Sequence, residues 1–310
     1  MLKPRALQSG DRVAIVAPAS SFPAEELQAG VSELRALGFE PVYTEAVLAR
    51  DRYTAGPADL RAADLIQAWM DPSVRAVIAA RGGYGTVHLL PFLDPAGFRE
   101  RPKAFVGFSD TTTLLTWLRQ SCGLVAFHGP MIEHRLSRGE DGYDRDTFLR
   151  CLCRAEAPGE ISHDGLEVLA AGEVSGELVG GTLTLLTSSL GTPYAFSPPR
   201  GCVLFLDEVA ERPYKLDRML TQMRLAGLLQ NVAALVFNEL PRCGEPGEPG
   251  EHPAARETVR RVLEGFPGPI LYGLRSGHTE GPTLTLPFGV RARVVAGSRP
   301  ALVIEEGAVC

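Results

Sequence analysis

Lys103-Ala104-Phe105-Val106-Gly107-Phe108-Ser109-Asp110-Thr111-Thr112-Thr113-Leu114-Leu115 changes its hydrophobic period across one polar corner. Ala104 to Phe108 reads as a buried strand, and Thr113 to Leu118 reads as the apolar side of a helix that includes Trp117. Ser109 sits at the corner. A serine on a strand-to-helix turn presents its hydroxyl above the sheet, and the N–H of Asp110 falls at a helix N-terminus, where backbone donors favour developing negative charge. Ser-Asp-Thr-Thr also suits an ordinary helix cap, with Ser109 or Asp110 accepting from first-turn N–H groups. The elbow pattern Gly-x-Ser-x-Gly is half present: Gly107 is there and position 111 is Thr.

Outward from this corner the first half alternates. Val13 to Ala17, Pro41 to Tyr43, Val74 to Ala80 and 124–127 read as strands or apolar stretches; Ala24 to Leu37, Ala58 to Met70, 86–93 and 112–121 read as helices. Continuous apolar strands between amphipathic helices imply an α/β protein with a doubly wound parallel sheet, covered on both faces and binding ligands beyond the carboxyl ends of its strands. After the 74–80 strand comes Arg81-Gly82-Gly83-Tyr84-Gly85, whose glycines allow close backbone approach to a ligand. A nucleotide reading there is weak, because His88 stands where the third glycine of a dinucleotide fingerprint belongs.

From 156 to 172 the pattern loses its period and gains Pro, Gly and acids, which divides the chain into a domain over 1–155, a linker over 156–172 and a smaller, strand-rich α/β domain over 173–310. In the second half Cys202 to Leu206 reads as a strand that ends in Asp207-Glu208, and Leu216 to Leu229 as a helix with core methionines Met219 and Met223. Cys243 to Pro253 reads as a surface loop. His278, in Ser276-Gly277-His278-Thr279-Glu280-Gly281 just past the strand Ile270 to Tyr272, has the exposed setting of a proton-transfer group. A carboxylate at 207 or 208 could orient it, and the order Ser, acid, His is a known triad order.

The chain has 310 residues, 45% of them hydrophobic, enough for about two domains with their own cores. Its net charge of −6 argues against nucleic-acid and anionic-membrane partners and favours a small molecule or peptide. Six scattered cysteines form no Cys-x-x-Cys pair, so neither a disulfide framework nor a zinc site is expected. The short apolar run before Ala17-Pro18-Ala19 reads as a strand rather than a signal peptide, and the absence of a membrane-length apolar stretch suggests a cytoplasmic protein.

Several segments together resemble the LD-carboxypeptidases, a serine-peptidase family that also contains the microcin-C immunity peptidases. They are Gly10-Asp11-Arg12-Val13 with Ala17-Pro18, Arg81 to Gly85, Gly107-Phe108-Ser109-Asp110, His128-Gly129-Pro130, Gly180-Gly181, Glu211 to Arg218, and Gly277-His278 followed by Leu286-Pro287-Phe288-Gly289. The resemblance runs end to end. It implies a metal-free and cofactor-free Ser–acid–His hydrolase, with Ser109 as nucleophile and His278 as base. The acid in the family is a Glu opening a Glu-Asp pair; the order here is Asp207-Glu208. Register from Pro213-Tyr214 favours Asp207, while strand alternation leaves both acids open. Where the family leads one to expect Gly-Gly-Asn, the chain has Gly180-Gly181-Thr182.

The implied reaction removes the terminal D-alanine of the peptidoglycan tetrapeptide during wall recycling, in a cytoplasmic homodimer. The N–H groups of Asp110 and Gly83 would hold the oxyanion, and Arg81 would meet the substrate carboxylate. One alternative is hydrolysis of a peptidyl- or aminoacyl-nucleotide amide, which would call for an aromatic on the nucleobase; Trp69 and Trp117 both read as core. The alternative of another class is a non-catalytic binding module on the same scaffold.

Overall fold

The computed structural model describes residues 1–245, 247 and 253–310, so most of the loop expected over 243–253 lies outside the described residues. The chain divides into two compact units. The first comprises Met1–Ala157, Gly281–Gly289 and Gly307–Cys310, and the second Pro158–Glu280 and Val290–Glu306.

Unit 1 opens with β1 (Arg12–Val16), α1 (Ala24–Ala36), β2 (Glu40–Val42), α2 (Ala58–Met70) and β3 (Val74–Ala79). It continues with α3 (Pro95–Glu100), β4 (Ala104–Gly107), α4 (Thr112–Cys122), β5 (Ala126–His128) and α5 (Arg145–Cys153). Residues 86–92, expected as a helix, form a 3-10 helix with Pro91 inside it. The strands β2, β1, β3, β4 and β5 are parallel neighbours in that order. This is a doubly wound order whose direction of winding reverses between β1 and β3, so the loops after those strands flank the place where such sheets take ligands. Trp69 and Trp117 are buried against Phe98, as their helix positions led one to expect. Burying aromatics of this size contributes roughly 1.5–3 kcal/mol each.

Unit 2 contains β6 (Gly159–Ile161), β7 (Glu167–Ala170), β8 (Gly172–Thr182), α6 (Leu183–Ser188) and β9 (Cys202–Asp207). α7 (Pro213–Leu225), β10 (Val232–Asn238), α8 (Pro253–Val262) and β11 (Ile270–Leu274) follow. The stretch read as a linker therefore carries two short strands, β6 and β7. The chain next contributes β12 (Leu286–Phe288) to unit 1, antiparallel to β5, and then adds β13 (Arg291–Ala296) and β14 (Ala301–Ile304) to unit 2. The second sheet has eight strands in the order β6-β14-β13-β8-β9-β10-β11-β7. Its centre, β8 to β11, is parallel, and its flanks are antiparallel. Leu204, Leu206, Leu235 and Phe237 pack with Leu216, Leu220 and Met223 of α7. Among the described residues no helix is long and apolar enough to cross a membrane.

Candidate active site

Ser109 follows β4 with φ of +61°, a left-handed conformation uncommon for a residue with a side chain. The residues at the cap positions of the 3-10 turn Ser109–Thr111 and of α4 are Phe108 and Thr111, and neither makes a side-chain cap. The Asp110 carboxylate instead accepts from Thr86 N–H at 2.8 Å, and burial pushes its pKa up. The cap reading thus gives way to a strained strand-to-helix turn of the kind that projects a serine hydroxyl. Gly107 is needed there because a Cβ on it would lie 2.5 Å from Thr111 Oγ1.

The glycine turn after β3 lies against this serine. A Cβ on Gly82 would sit 2.7 Å from Ser109 Cβ and 2.9 Å from its Oγ, so only glycine fits. Gly83 has φ of +93°, and a Cβ there would fall 2.4 Å from Ser20 Oγ. Ser20 pins the turn twice: its N–H donates to Gly82 O at 3.1 Å and its Oγ accepts from Tyr84 N–H at 3.1 Å. Buried Arg61 donates to Gly85 O at 2.8 Å, to Gly56 O at 2.9 Å and to Pro18 O. One guanidinium thereby ties the loops after β1 and β3 together. Arg81 is already engaged, pairing with Glu133 at 3.0 Å and donating to Ser21 O at 2.7 Å. His128 is fully buried beside Phe108 and Phe288, a structural position.

In unit 2, β9 ends in Asp207, whose carboxylate is fully buried. His278 Nδ1 lies 2.8 Å from Asp207 Oδ2, and the imidazole remains 18% exposed. Gly277, at φ of +74°, provides the turn that brings His278 back over the strand ends. Asp207 Oδ1 accepts from His278 N–H at 3.0 Å and from Asn238 Nδ2 at 2.6 Å; Oδ2 also accepts from Thr182 Oγ1 at 3.1 Å. Glu208 points elsewhere. Its Oε2 accepts from Thr184 N–H and Oγ1 at 2.8 and 2.7 Å, and its Oε1 from Val209 N–H at 3.0 Å. Burial raises the Glu208 pKa. Of the two acids, Asp207 is the one in contact with His278.

Two residues of this cluster were not singled out for it by sequence reasoning. Thr182, noted only as a departure from Gly-Gly-Asn, touches the Asp207 carboxylate. Asn238 touches both Asp207 and His278. The signal for Asn238 was a polar amide closing an apolar parallel strand beside the strand that ends in the acid pair.

A serine on a strained strand-to-helix turn, here in unit 1, and an imidazole backed by a buried carboxylate, here in unit 2, are each features that serine hydrolases use. The sequence profile of the LD-carboxypeptidase N-terminal domain matches residues 13–129, and that of the LD-carboxypeptidase C-terminal domain matches residues 175–294. The chain belongs to the LD-carboxypeptidase family and is a serine-type carboxypeptidase of mixed α/β fold. It is 34% identical to a probable murein peptide carboxypeptidase of Bacillus subtilis, over 99% of this chain and 97% of that protein. It is 25% identical to the microcin C7 self-immunity protein of Escherichia coli, over 94% of this chain and 91% of the other. Among solved structures, muramoyltetrapeptide carboxypeptidase from Oxalobacter formigenes aligns with a TM-score of 0.80 at 30% identity, covering 94% of this chain and 97% of that one.

Proposed function

We propose that Ser109, His278 and Asp207 act as one catalytic triad that removes the terminal D-alanine from the L,D-amide bond of a peptidoglycan tetrapeptide. The observation that carries the chemistry is the buried Asp207 carboxylate 2.8 Å from the Nδ1 of a partly exposed imidazole. Such a carboxylate holds the proton on Nδ1 and leaves Nε2 as the base. His278 takes the Ser109 proton as Oγ attacks the scissile carbonyl, and the N–H groups of Asp110 and Gly83 receive the oxyanion. Collapse transfers the proton from His278 to the departing D-alanine amine. Water, activated by the same imidazole, then hydrolyses the acyl-enzyme.

Arg81 is the candidate for the substrate's free carboxylate, with guanidinium capacity left beyond Glu133 and Ser21. Glu208 supports the site from behind by anchoring the first residues of α6. The working form in this reading is a cytoplasmic homodimer acting in wall recycling. Trp69 and Trp117 are both buried and so do not offer a stacking face to the base of a peptidyl-nucleotide.

The test is mass spectrometry of purified tetrapeptide incubated with the protein in the presence of chelator, with Ser109→Ala as control. Loss of one D-alanine by the wild type alone is the expected result. Intact tetrapeptide, with Ser109 still reacting with a fluorophosphonate, would move the substrate to the peptidyl-adenylates. Intact tetrapeptide and no labelling would leave a binding module.

A further inference from the structure

Asn238, the last residue of β10, is fully buried, and its amide meets two parts of the candidate site at once. Nδ2 donates to Asp207 Oδ1 at 2.6 Å and to the backbone carbonyl of His278 at 2.7 Å, with Glu208 O further off at 3.4 Å. Oδ1 accepts from Leu240 N–H at 3.1 Å and Glu208 N–H at 3.3 Å. The orientation of the amide is therefore fixed by its surroundings: oxygens lie on one side and N–H groups on the other.

These bonds close a ring. His278 N–H donates to the same Asp207 oxygen that Nδ2 reaches, while His278 O accepts from the other proton of Nδ2. The ring fixes the histidine backbone against the carboxylate. Asp207 has a short side chain, so His278 must be brought to it, and only a residue with two donors on one nitrogen can bind a carboxylate oxygen and a carbonyl oxygen together. Asp at 238 would set oxygen against oxygen at both contacts, and an aliphatic side chain would leave both acceptors short of a donor in a buried place.

We propose that Asn238 is a positioning residue for catalysis: it sets the distance and orientation between Asp207 and His278 by binding the carboxylate of one and the main chain of the other. This rests on the reading that Asp207 and His278 serve Ser109. Besides Asp207 and His278, the charged side chains at the strand ends meeting around it are Glu208, Glu239 and Arg275; Glu239 pairs with Arg275 at 3.2 Å and accepts from Thr279 Oγ1.

The experiment compares wild type with Asn238→Asp and Asn238→Ala in three readouts. These are kcat and KM on the tetrapeptide, the rate of Ser109 labelling by a fluorophosphonate, and the NMR signal of the His278 Nδ1 proton, assigned with His278→Gln. Both variants should lose about ten- to a hundredfold in kcat and in labelling rate with KM within about twofold, since the geometry and not the substrate contact is altered. In both variants the His278 Nδ1 proton signal should move or be lost to exchange, because the bond to Asp207 that holds it is set by Asn238. Folded variants with kcat within about twofold of wild type and an unmoved Nδ1 proton signal would overturn the proposal. So would a lower melting temperature, or a fall in activity, with that signal as in wild type. If the wild type neither cleaves nor labels, the catalytic reading has failed instead, and the His278 Nδ1 proton signal in the two variants still decides whether Asn238 controls this pair.

Discussion

The Ser109 turn and the Asp207–His278 pair are built by opposite means. The turn is made of backbone: a left-handed serine, a Gly82 with no room for a Cβ, and a Gly83 at positive φ, held by Ser20 and Arg61 through main-chain atoms. The pair relies on side chains: the Asp207 carboxylate accepts from the side chains of Asn238 and Thr182 and lies against the His278 ring, with the His278 main-chain N–H beside them. A backbone-built feature depends on where glycine is present, whereas a side-chain-built one depends on which polar groups converge. The first should therefore be sensitive to added volume and the second to altered hydrogen bonding.

The largest effect should separate the adjacent acids. Asp207→Asn keeps shape but offers an amide to His278 Nδ1, so it should lower kcat by about 10⁴-fold, measured by release of D-alanine. Glu208→Gln should stay within about tenfold of wild type and show itself in stability. The Glu208 pKa is raised by burial, so its stabilising contribution is present at pH below the ordinary glutamate value and is lost as pH rises through the folded value. Glu208→Gln, the isostere of the protonated acid, should melt near wild type in acid and gain on it as pH rises through that window. Equal losses of activity in the two variants would remove the distinction between an orienting acid and a structural one.

Gly82→Ala tests the backbone half. Its Cβ would lie 2.7 Å from Ser109 Cβ, so either the turn or the serine must shift. A fall in kcat of about 10²- to 10³-fold is expected from a displaced oxyanion donor, with about 1–3 kcal/mol lost from overpacking, read from fluorophosphonate labelling and denaturant unfolding. Labelling at the wild-type rate would mean that the turn plays no part in receiving the oxyanion.

What was legible in the sequence follows the same division. The strand-to-helix corner and the Arg81 to Gly85 turn are local, so periodicity and glycine spacing were enough to find them. Asp207 and Glu208 could not be separated by alternation, because β9 is buried along its whole length and both faces of the strand look alike. Asn238 was invisible for a different reason: its partners Asp207 and His278 lie 31 and 40 positions away, and nothing local marks an amide that bridges them. The return of Leu286–Phe288 to pair with Ala126–His128 is likewise a long-range pairing. The strands at 159–161 and 167–170 look like linker in the sequence because they are short, and β7 is at best half-buried, so neither shows an apolar period.

The smallest effect bears on whether the serine turn stores strain at all. Ser109→Ala and Ser109→Gly both abolish the nucleophile, so activity cannot tell them apart, but they differ in what φ of +61° costs them. Alanine keeps the Cβ that crowds the carbonyl in the left-handed region, and glycine removes it at the expense of a more flexible unfolded chain. The balance should leave Ser109→Gly more stable than Ser109→Ala by about 1 kcal/mol in denaturant unfolding. The increment is small beside the loss from Asp207→Asn, yet it comes from the backbone alone. Alanine equal to or more stable than glycine at this position would show that the turn is relaxed, and the contrast between a backbone-built half and a side-chain-built half would then rest on Gly82 and Gly83 without the serine.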